Sequence, residues 1–209
     1  YDSAGSIENP VENEALPAYL YVDYSSYPLN GGLSALFSNP ATRMSVSDYL
    51  SLRVGSPLIA DALITASERY GIDPALLVAL CWQESRFRID ATSINVNKSV
   101  DRGLMQLNSS TFPNLREKDF FDPYLNAEQG ASYLSKLMKM SGNTVTALAM
   151  YNAGPGRVGS FGSPRRTLEY IDSIMDFRAQ LVRGYINEYS NGGVLVSRDM
   201  KPVKNPDLL

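Results

Sequence analysis

From Ser56 onward, apolar residues recur at helical spacing, and four of the stretches that carry them open in the same way. Ser56-Pro57, Asp73-Pro74, Asp122-Pro123 and Ser163-Pro164 each set a side-chain oxygen ahead of a proline. The oxygen can accept a free amide of the first turn, and proline at the first helical position loses no hydrogen bond. The spacing predicts a first helix that buries Ile59, Leu63, Ala66 and Tyr70 and stops at Gly71. A second runs from Ala75 to about Phe87 and is apolar nearly all round, so it belongs at the centre. A third, from Tyr124 to about Met140, turns Ala127, Ala131, Leu134 and Leu137 or Met138 inward. A fourth starts near Asn143 and ends at Gly154, which can take the left-handed C-terminal position. The last runs from Arg165 to about Tyr189, with Leu168, Ile171, Ile174, Met175, Leu181, Val182 and Tyr185 on or near one stripe.

The flanks lack this texture. Residues 1–55 read as an irregular N-terminal arm, with turns at Asn9-Pro10, Asn30-Gly31-Gly32 and Asn39-Pro40. Within it, Ala18 to Tyr24 is β-prone and apolar, better suited to packing against the domain than to stacking on sugar. Residues 191–209 read as a C-terminal tail. The expected fold is therefore mainly α: one helical domain over 56–190, with an arm before it and a tail after it.

Composition removes several chemistries. Hydrophobic residues make up 44% of the 209 and charged ones 20%, the balance of an ordinary globular domain. A net charge of -3 with no basic run argues against nucleic acid as a partner, since phosphate binding needs concentrated positive charge. Histidine is absent, which removes Ser-His and Cys-His nucleophiles and the commonest zinc ligand. Cys81 is the single cysteine, so an intrachain disulfide and a cysteine metal cage are both excluded. No apolar run is long enough to span a bilayer.

One carboxylate sits oddly. Glu84 shares its helical face with Leu77, Leu80 and Cys81 and falls in the last turn, where the helix dipole disfavours negative charge. Both effects hold a proton on the carboxyl group, as a general acid requires. The bland alternative is a solvated glutamate paired with Arg86 or Arg88. Downstream, Asn95-Val96-Asn97-Lys98-Ser99-Val100-Asp101 reads as a polar loop. Its alternating oxygens faintly suggest a calcium loop, but the glycine and terminal glutamate of such a loop are missing. Gly103 permits a tight turn or close backbone approach. Gln106 offers a donor and an acceptor, which suits sugar hydroxyls and N-acetyl groups. Leu104 and Met105 read as core, and Asn108-Ser109 as a helix cap. Tyr151-Asn152 ends a helix before Gly154-Pro155-Gly156; the pair either aims polar tips into a cleft or forms a buried hydroxyl and a C-cap. Trp82, two residues before Glu84, points elsewhere on the helix and reads as core.

Taken in order, these motifs resemble the lytic transglycosylase family with the soluble lytic transglycosylase (lysozyme-like) domain, over roughly Leu58 to Ile186. Glu84-Ser85 is similar to the family's catalytic Glu-Ser pair, Gly103-Leu104-Met105-Gln106 to its Gly-Leu-Met-Gln motif, and Leu148 to Gly154 to its Tyr-Asn-Ala-Gly motif. In the last of these Met150 stands where a small alanine is usual. Thr167 to Ile171 looks like its late tyrosine motif. The stretch Asn97 to Asp101 is closer to the transglycosylases that accompany secretion systems, and to animal lysozymes, in which an aspartate two residues before the corresponding glycine is the second catalytic carboxylate. Asp101 occupies that place, seventeen positions after Glu84.

The resemblance implies a lysozyme-like helical fold and cleavage of peptidoglycan glycan strands between N-acetylmuramic acid and N-acetylglucosamine, without metal or cofactor. Glu84 is implied as acid and then base, closing a 1,6-anhydro ring. Gln106, Tyr151, Asn152 and Tyr170 are implied to orient it or to grip substrate, Met105 to contact substrate, and Ser85 to hydrogen-bond the muramyl group or secure the loop. Two other readings stand beside this one: a hydrolase using Glu84 with Asp101, and a wall-binding scaffold without turnover. For Asp101, capping or a salt bridge with Arg102 or Lys98 is the bland alternative. The resemblance also implies a periplasmic or secreted location, with a signal peptide removed before Tyr1, and an envelope-spanning machine as partner.

Overall fold

The computed structural model describes residues 31–190. The β-prone stretch Ala18 to Tyr24 and the tail from residue 191 lie outside the described residues. Eight α-helices appear among those described: α1 (Ser34–Ser38), α2 (Arg43–Val54), α3 (Pro57–Tyr70), α4 (Pro74–Ser85), α5 (Pro123–Ser141), α6 (Thr144–Ala153), α7 (Pro155–Phe161) and α8 (Arg165–Ser190). Between α4 and α5 lie a small antiparallel sheet, β1 (Thr92–Ile94), β2 (Val100–Arg102) and β3 (Leu107–Asn108), and a 3₁₀ turn over Glu117–Phe121. The mainly helical fold read from the sequence is the fold observed.

The predicted caps explain where helices start. Ser56 Oγ accepts from Ile59 N, Asp122 Oδ1 from Leu125 N and Asn143 Oδ1 from Thr146 N. Gly71 ends α3 at φ 63° and ψ 36°, the left-handed position that glycine takes without penalty. Helix α4 is central as its composition predicts: every residue from Pro74 to Cys81 is buried. It packs along α8, while α3 packs along α5 and α5 along α6.

Several expectations need correction. The irregular texture expected up to residue 55 gives way to α1 and α2, whose Leu36, Phe37, Val46, Tyr49, Leu50 and Val54 join the core. The Asn39-Pro40 turn lies between these two helices, and serines among the apolar positions of α2 mask its stripe. Helix α4 stops at Ser85, two residues early, because Arg86 and Phe87 both take left-handed φ values of 56° and 60°. Gly154 has the expected positive φ, 85°, but its ψ of 141° is extended, so the chain leaves α6 and restarts at once as α7. Pro155 supplies the preset first-turn geometry for that unexpected helix. The three strands were too short to show a period of two.

One largely buried side chain, about 10% exposed, ties three separated segments together. Asp73 Oδ1 accepts from Leu33 N (2.9 Å) and Ala75 N (3.3 Å), and Oδ2 accepts from Arg178 Nε of α8 (2.6 Å). Breaking a buried pair from one side costs about 3–5 kcal/mol and losing an N-cap costs about 1 kcal/mol. Asp73→Ala should therefore lower stability by roughly 4 kcal/mol in urea unfolding. A loss under about 1 kcal/mol would show that the segments are held without it.

Candidate active site

A cavity of about 690 Å³ opens between the sheet, the C-terminal end of α4, and α5 to α7. Glu84, Asp101, Gln106, Tyr151 and Asn152 line it, so five of the eight residues singled out in the sequence converge on one wall system. Glu84 sits where α4 ends, with Leu77, Leu80 and Cys81 of its face fully buried. Neither arginine pairs with it: Arg86 Nη1 donates to Trp82 O and Arg88 Nε to Ser85 O. Its hydrogen-bond partner is instead the Tyr170 hydroxyl, which donates to Oε1 at 2.5 Å from the buried face of α8.

Burial pushes the Glu84 carboxyl up to about 7 from an ordinary 4.5. The Tyr170 hydrogen bond opposes that shift, and the negative charge of Asp101 adds to it. Burial and the neighbouring Glu84 hold the Tyr170 and Tyr151 hydroxyls well above the usual phenol range, so both remain donors. Tyr151 donates to Met105 O (2.9 Å), so its hydroxyl grips the backbone of the Gly103–Gln106 loop.

Asp101 stands mid-strand in β2, opposite Ser93 of β1 and Asn108 of β3. Asn108 Nδ2 donates to its Oδ1 (2.6 Å) and Asn95 Nδ2 to its Oδ2 (2.8 Å). Both asparagines also donate to Ser99 Oγ, which donates to Asn97 Oδ1. The alternating oxygens of this stretch are thus engaged with one another's amides and hydroxyls. The salt bridge considered for Asp101 is absent among the described residues, where Arg102 pairs with Glu117 and lies over the Phe120 ring. Asn108, read as a helix cap, is a cross-strand support for Asp101.

Two amides have their polarity fixed by neighbours. Gln106 takes a left-handed φ of 46°, and its Nε2 donates to Ala91 O and Gly103 O. Both donors are spent, so only its carbonyl oxygen remains for the cavity. This corrects the expectation that Gln106 offers donor and acceptor alike. Asn152 Oδ1 accepts from the buried Thr167 hydroxyl (2.8 Å), which leaves its amide hydrogens facing out.

Ser85 and Met105 need correction as substrate contacts. Ser85 is buried, with Oγ donating to Cys81 O, one turn back along α4. Met105 is fully buried, against Gly130 on α5, where no side chain would fit. Neither lines the cavity. Trp82, expected in the core, is half-buried beside Phe87 and Phe177, with the Arg86 guanidinium over its ring.

Sequence reasoning missed Asn126. This fully buried residue of α5 accepts from Met105 N at Oδ1 (2.8 Å) and donates from Nδ2 to Phe120 O (2.7 Å) and Arg102 O (3.1 Å). Gly103, at φ 77°, passes so close to Asn126 and Phe120 O that no Cβ would fit. The signal was an asparagine in register with Gly130 and Leu134 on the apolar face of α5. Tyr133 was also missed. It packs on Tyr151 with ring centroids 5.5 Å apart and lines the cavity.

The sequence matches the Transglycosylase SLT domain over residues 61–173, a span from α3 into α8 that contains every site residue named above. X polypeptide of Escherichia coli is 40% identical over 101 residues, which are 46% of this chain and 60% of that protein. Protein IpgF of Shigella flexneri is 32% identical over 130 residues, 59% of this chain and 81% of that one. Invasion protein IagB of Salmonella typhimurium is 38% identical over 101 residues, 46% and 63% of the two chains. The chain thus spans about 60% of the length of the first of these relatives. Among solved structures, an inactive mutant of lytic transglycosylase Slt from Pseudomonas aeruginosa is 28% identical, covering 63% of this chain and 24% of that one, with a TM-score of 0.41.

Because burial raises the Glu84 carboxyl, folding favours its protonated form. The contribution of Glu84 to stability should be fully present below about pH 4.5 and be lost as the pH rises toward 7, where the ionised form must be carried in the folded chain. Glu84→Gln removes that slope. In urea unfolding from pH 4 to 9 the variant should match the wild type at the acid end and exceed it by about 3 kcal/mol at pH 8. Parallel curves would mean that Glu84 titrates as an exposed glutamate.

Proposed function

Because the chain belongs to the Transglycosylase SLT domain family, we propose that it is a peptidoglycan lytic transglycosylase whose acid and base is Glu84. The observation that carries this reading is a carboxyl group raised to about 7 inside a sugar-sized groove and held by the Tyr170 hydroxyl. Protonated Glu84 donates to the glycosidic oxygen as the bond to the muramyl anomeric carbon breaks. The leaving N-acetylglucosamine takes that proton as its 4-hydroxyl group. The positive charge left on the muramyl ring is met by the substrate's own N-acetyl group. Glu84, now ionised, takes the proton of the muramyl O6 hydroxyl, and O6 closes on the anomeric carbon. The 1,6-anhydro product forms and Glu84 is protonated again, so one carboxylate serves both steps.

The fixed amides suit this substrate. The carbonyl of Gln106 accepts from a sugar hydroxyl or N-acetyl N–H, and the amide hydrogens of Asn152 reach a sugar oxygen or N-acetyl carbonyl. Tyr151 and Tyr170 act as positioning residues, the first through the Met105 backbone and the second on Glu84 itself.

A second reading is favoured by Asp101. A carboxylate held by two asparagine amides in the same cavity is also the support that a hydrolytic enzyme needs opposite its acid. In that reading water replaces O6 as the attacking group and the product keeps a reducing end. With both Asp101 oxygens tied to amides, the residue fits fixed electrostatic stabilisation better than movement onto the sugar. A wall substrate implies a periplasmic or secreted location. Resemblance to the secretion-system branch implies an envelope-spanning machine as the recruiting partner. Among the described residues no helix is long and apolar enough to cross a membrane.

Digestion of purified sacculi with mass spectrometry of the released muropeptides separates these readings. Anhydromuramyl ends are expected; reducing ends would favour hydrolysis, and no products would leave a binding scaffold. Glu84→Gln should lower turnover by about a thousandfold or more, as loss of an essential acid does. Asp101→Asn should cost less than about tenfold under ring closure and over a hundredfold under hydrolysis, since it removes the charge opposite the cationic sugar.

A further inference from the structure

The groove extends past the carboxylates. Thr111, Phe112 and Tyr133 line both the main cavity and an adjoining annex of about 270 Å³. The annex wall is one face of α5: Gln129, Ser132, Tyr133 and Lys136 follow at i, i+3, i+4 and i+7, so their side chains stand together. Three rings connect annex to centre. Phe112 meets Tyr133 edge-on at 5.7 Å, and Tyr133 tilts against Tyr151 at 5.5 Å.

Charge is laid out unevenly along this surface. Glu84 and Asp101 carry the acidic groups of the main cavity, and the lining cations are Arg157 of α7 on the cavity wall and Lys136 in the annex. Every salt bridge among the described residues is made by an arginine, yet Arg157 is in none of them. Among the described residues neither Arg157 nor Lys136 has a hydrogen-bond or ionic partner in the protein. Both Asp101 oxygens already accept from Asn95 and Asn108. In a chain of net charge -3, two unengaged cations facing one continuous groove are suited to an anionic ligand.

We infer that Arg157 and Lys136 form a subsite for the carboxylates of the peptide stems that branch from muramyl residues, so that the groove selects glycan strands bearing acidic stems. The inference rests on the wall-cleaving reading above. A stem leaves the sugar sideways through the lactyl ether and presents free carboxylates from its glutamyl, diamino-acid and terminal residues. The Arg157 guanidinium offers paired donors matched to one carboxylate, and the Lys136 ammonium offers a point charge to another. Gln129, Ser132 and Thr111 supply neutral partners for stem amides. The Phe112 and Tyr133 rings cover the alanyl methyl groups.

The test compares wild type, Arg157→Ala, Lys136→Ala and the double variant on strands with intact stems and on the same strands stripped by an amidase. Exposed ion pairs are individually weak, so each single variant should lose about threefold in kcat/KM on stem-bearing strands and the double about tenfold, mainly through KM. For the double variant the loss on stem-bearing strands should exceed that on stripped strands at least fivefold, and Arg157→Lys should restore part of the loss seen with Arg157→Ala. Amidation of the stem carboxylates, or 0.5 M salt, should erase the same preference in wild type. Equal losses on both substrates, or a wild type indifferent to stems, would overturn the subsite while leaving strand cleavage intact. A parallel titration uses Glu84→Gln, with and without the two alanines, against a stem-bearing disaccharide and chitotetraose. Selective weakening for the disaccharide, with wild type cutting no wall substrate, would keep the subsite and discard the cleavage reading.

Discussion

A single buried carboxamide closes three backbone valences that the irregular part of the chain leaves open. Asn126 takes the Met105 amide and gives its two hydrogens to the carbonyls of Arg102 and Phe120. Those groups lie on the Gly103–Gln106 loop, the end of β2 and the 3₁₀ turn, and no regular ladder would satisfy them. Buried backbone groups without partners cost about 1–3 kcal/mol each, so the loop is stable only with α5 beside it. Gly103 completes the join by having no side chain where the asparagine must sit. With the loop fixed, the Met105 carbonyl becomes a fixed acceptor for Tyr151, and Gln106 is turned so that its amide hydrogens point inward. The groove wall is thus set by a residue that does not touch the groove.

Electrostatics builds on that frame. The two carboxylates facing the cavity differ in support. Glu84 is backed by leucines and a cysteine and receives one phenolic hydrogen bond, whereas Asp101 is held at the middle of a strand by two amides. The first environment retains a proton near neutrality, and the second provides a fixed acceptor for positive charge. Position follows from local structure in each case. Consecutive left-handed residues, Arg86 and Phe87, end α4 just after Glu84, and cross-strand pairing sets Asn108 beside Asp101.

The long helices were legible because cap, proline and apolar stripe agreed with one another at Ser56, Asp73 and Asp122. Glu84 was legible for the same reason: a charge among Leu77, Leu80 and Cys81 contradicts its own face. Helix α2 was obscured by serines at Ser45, Ser47 and Ser51, and α7 is a seven-residue element without a buried face. Tertiary partners were out of reach. Nothing local says that Thr167 fixes the amide of Asn152, that Asn126 reaches back to Met105, or that Ser85 turns inward. These depend on helices brought together from far apart in the chain, where periodicity carries no information. Ser85 and Met105 were assigned from motif position, and motif neighbours of a reacting group need not share its exposure.

The opposed amides have a consequence for direction. Gln106 presents only an acceptor and Asn152 only donors, each locked by a neighbour that would lose its own bond if the amide turned over. A glycan strand has two unlike ends, and its N-acetyl groups repeat with one orientation. Threaded one way, it meets acceptor with donor along the wall; threaded the other way, it meets like with like. On the proposed reading, the two fixed amides therefore give the groove a head and a tail for the N-acetyl groups of a strand.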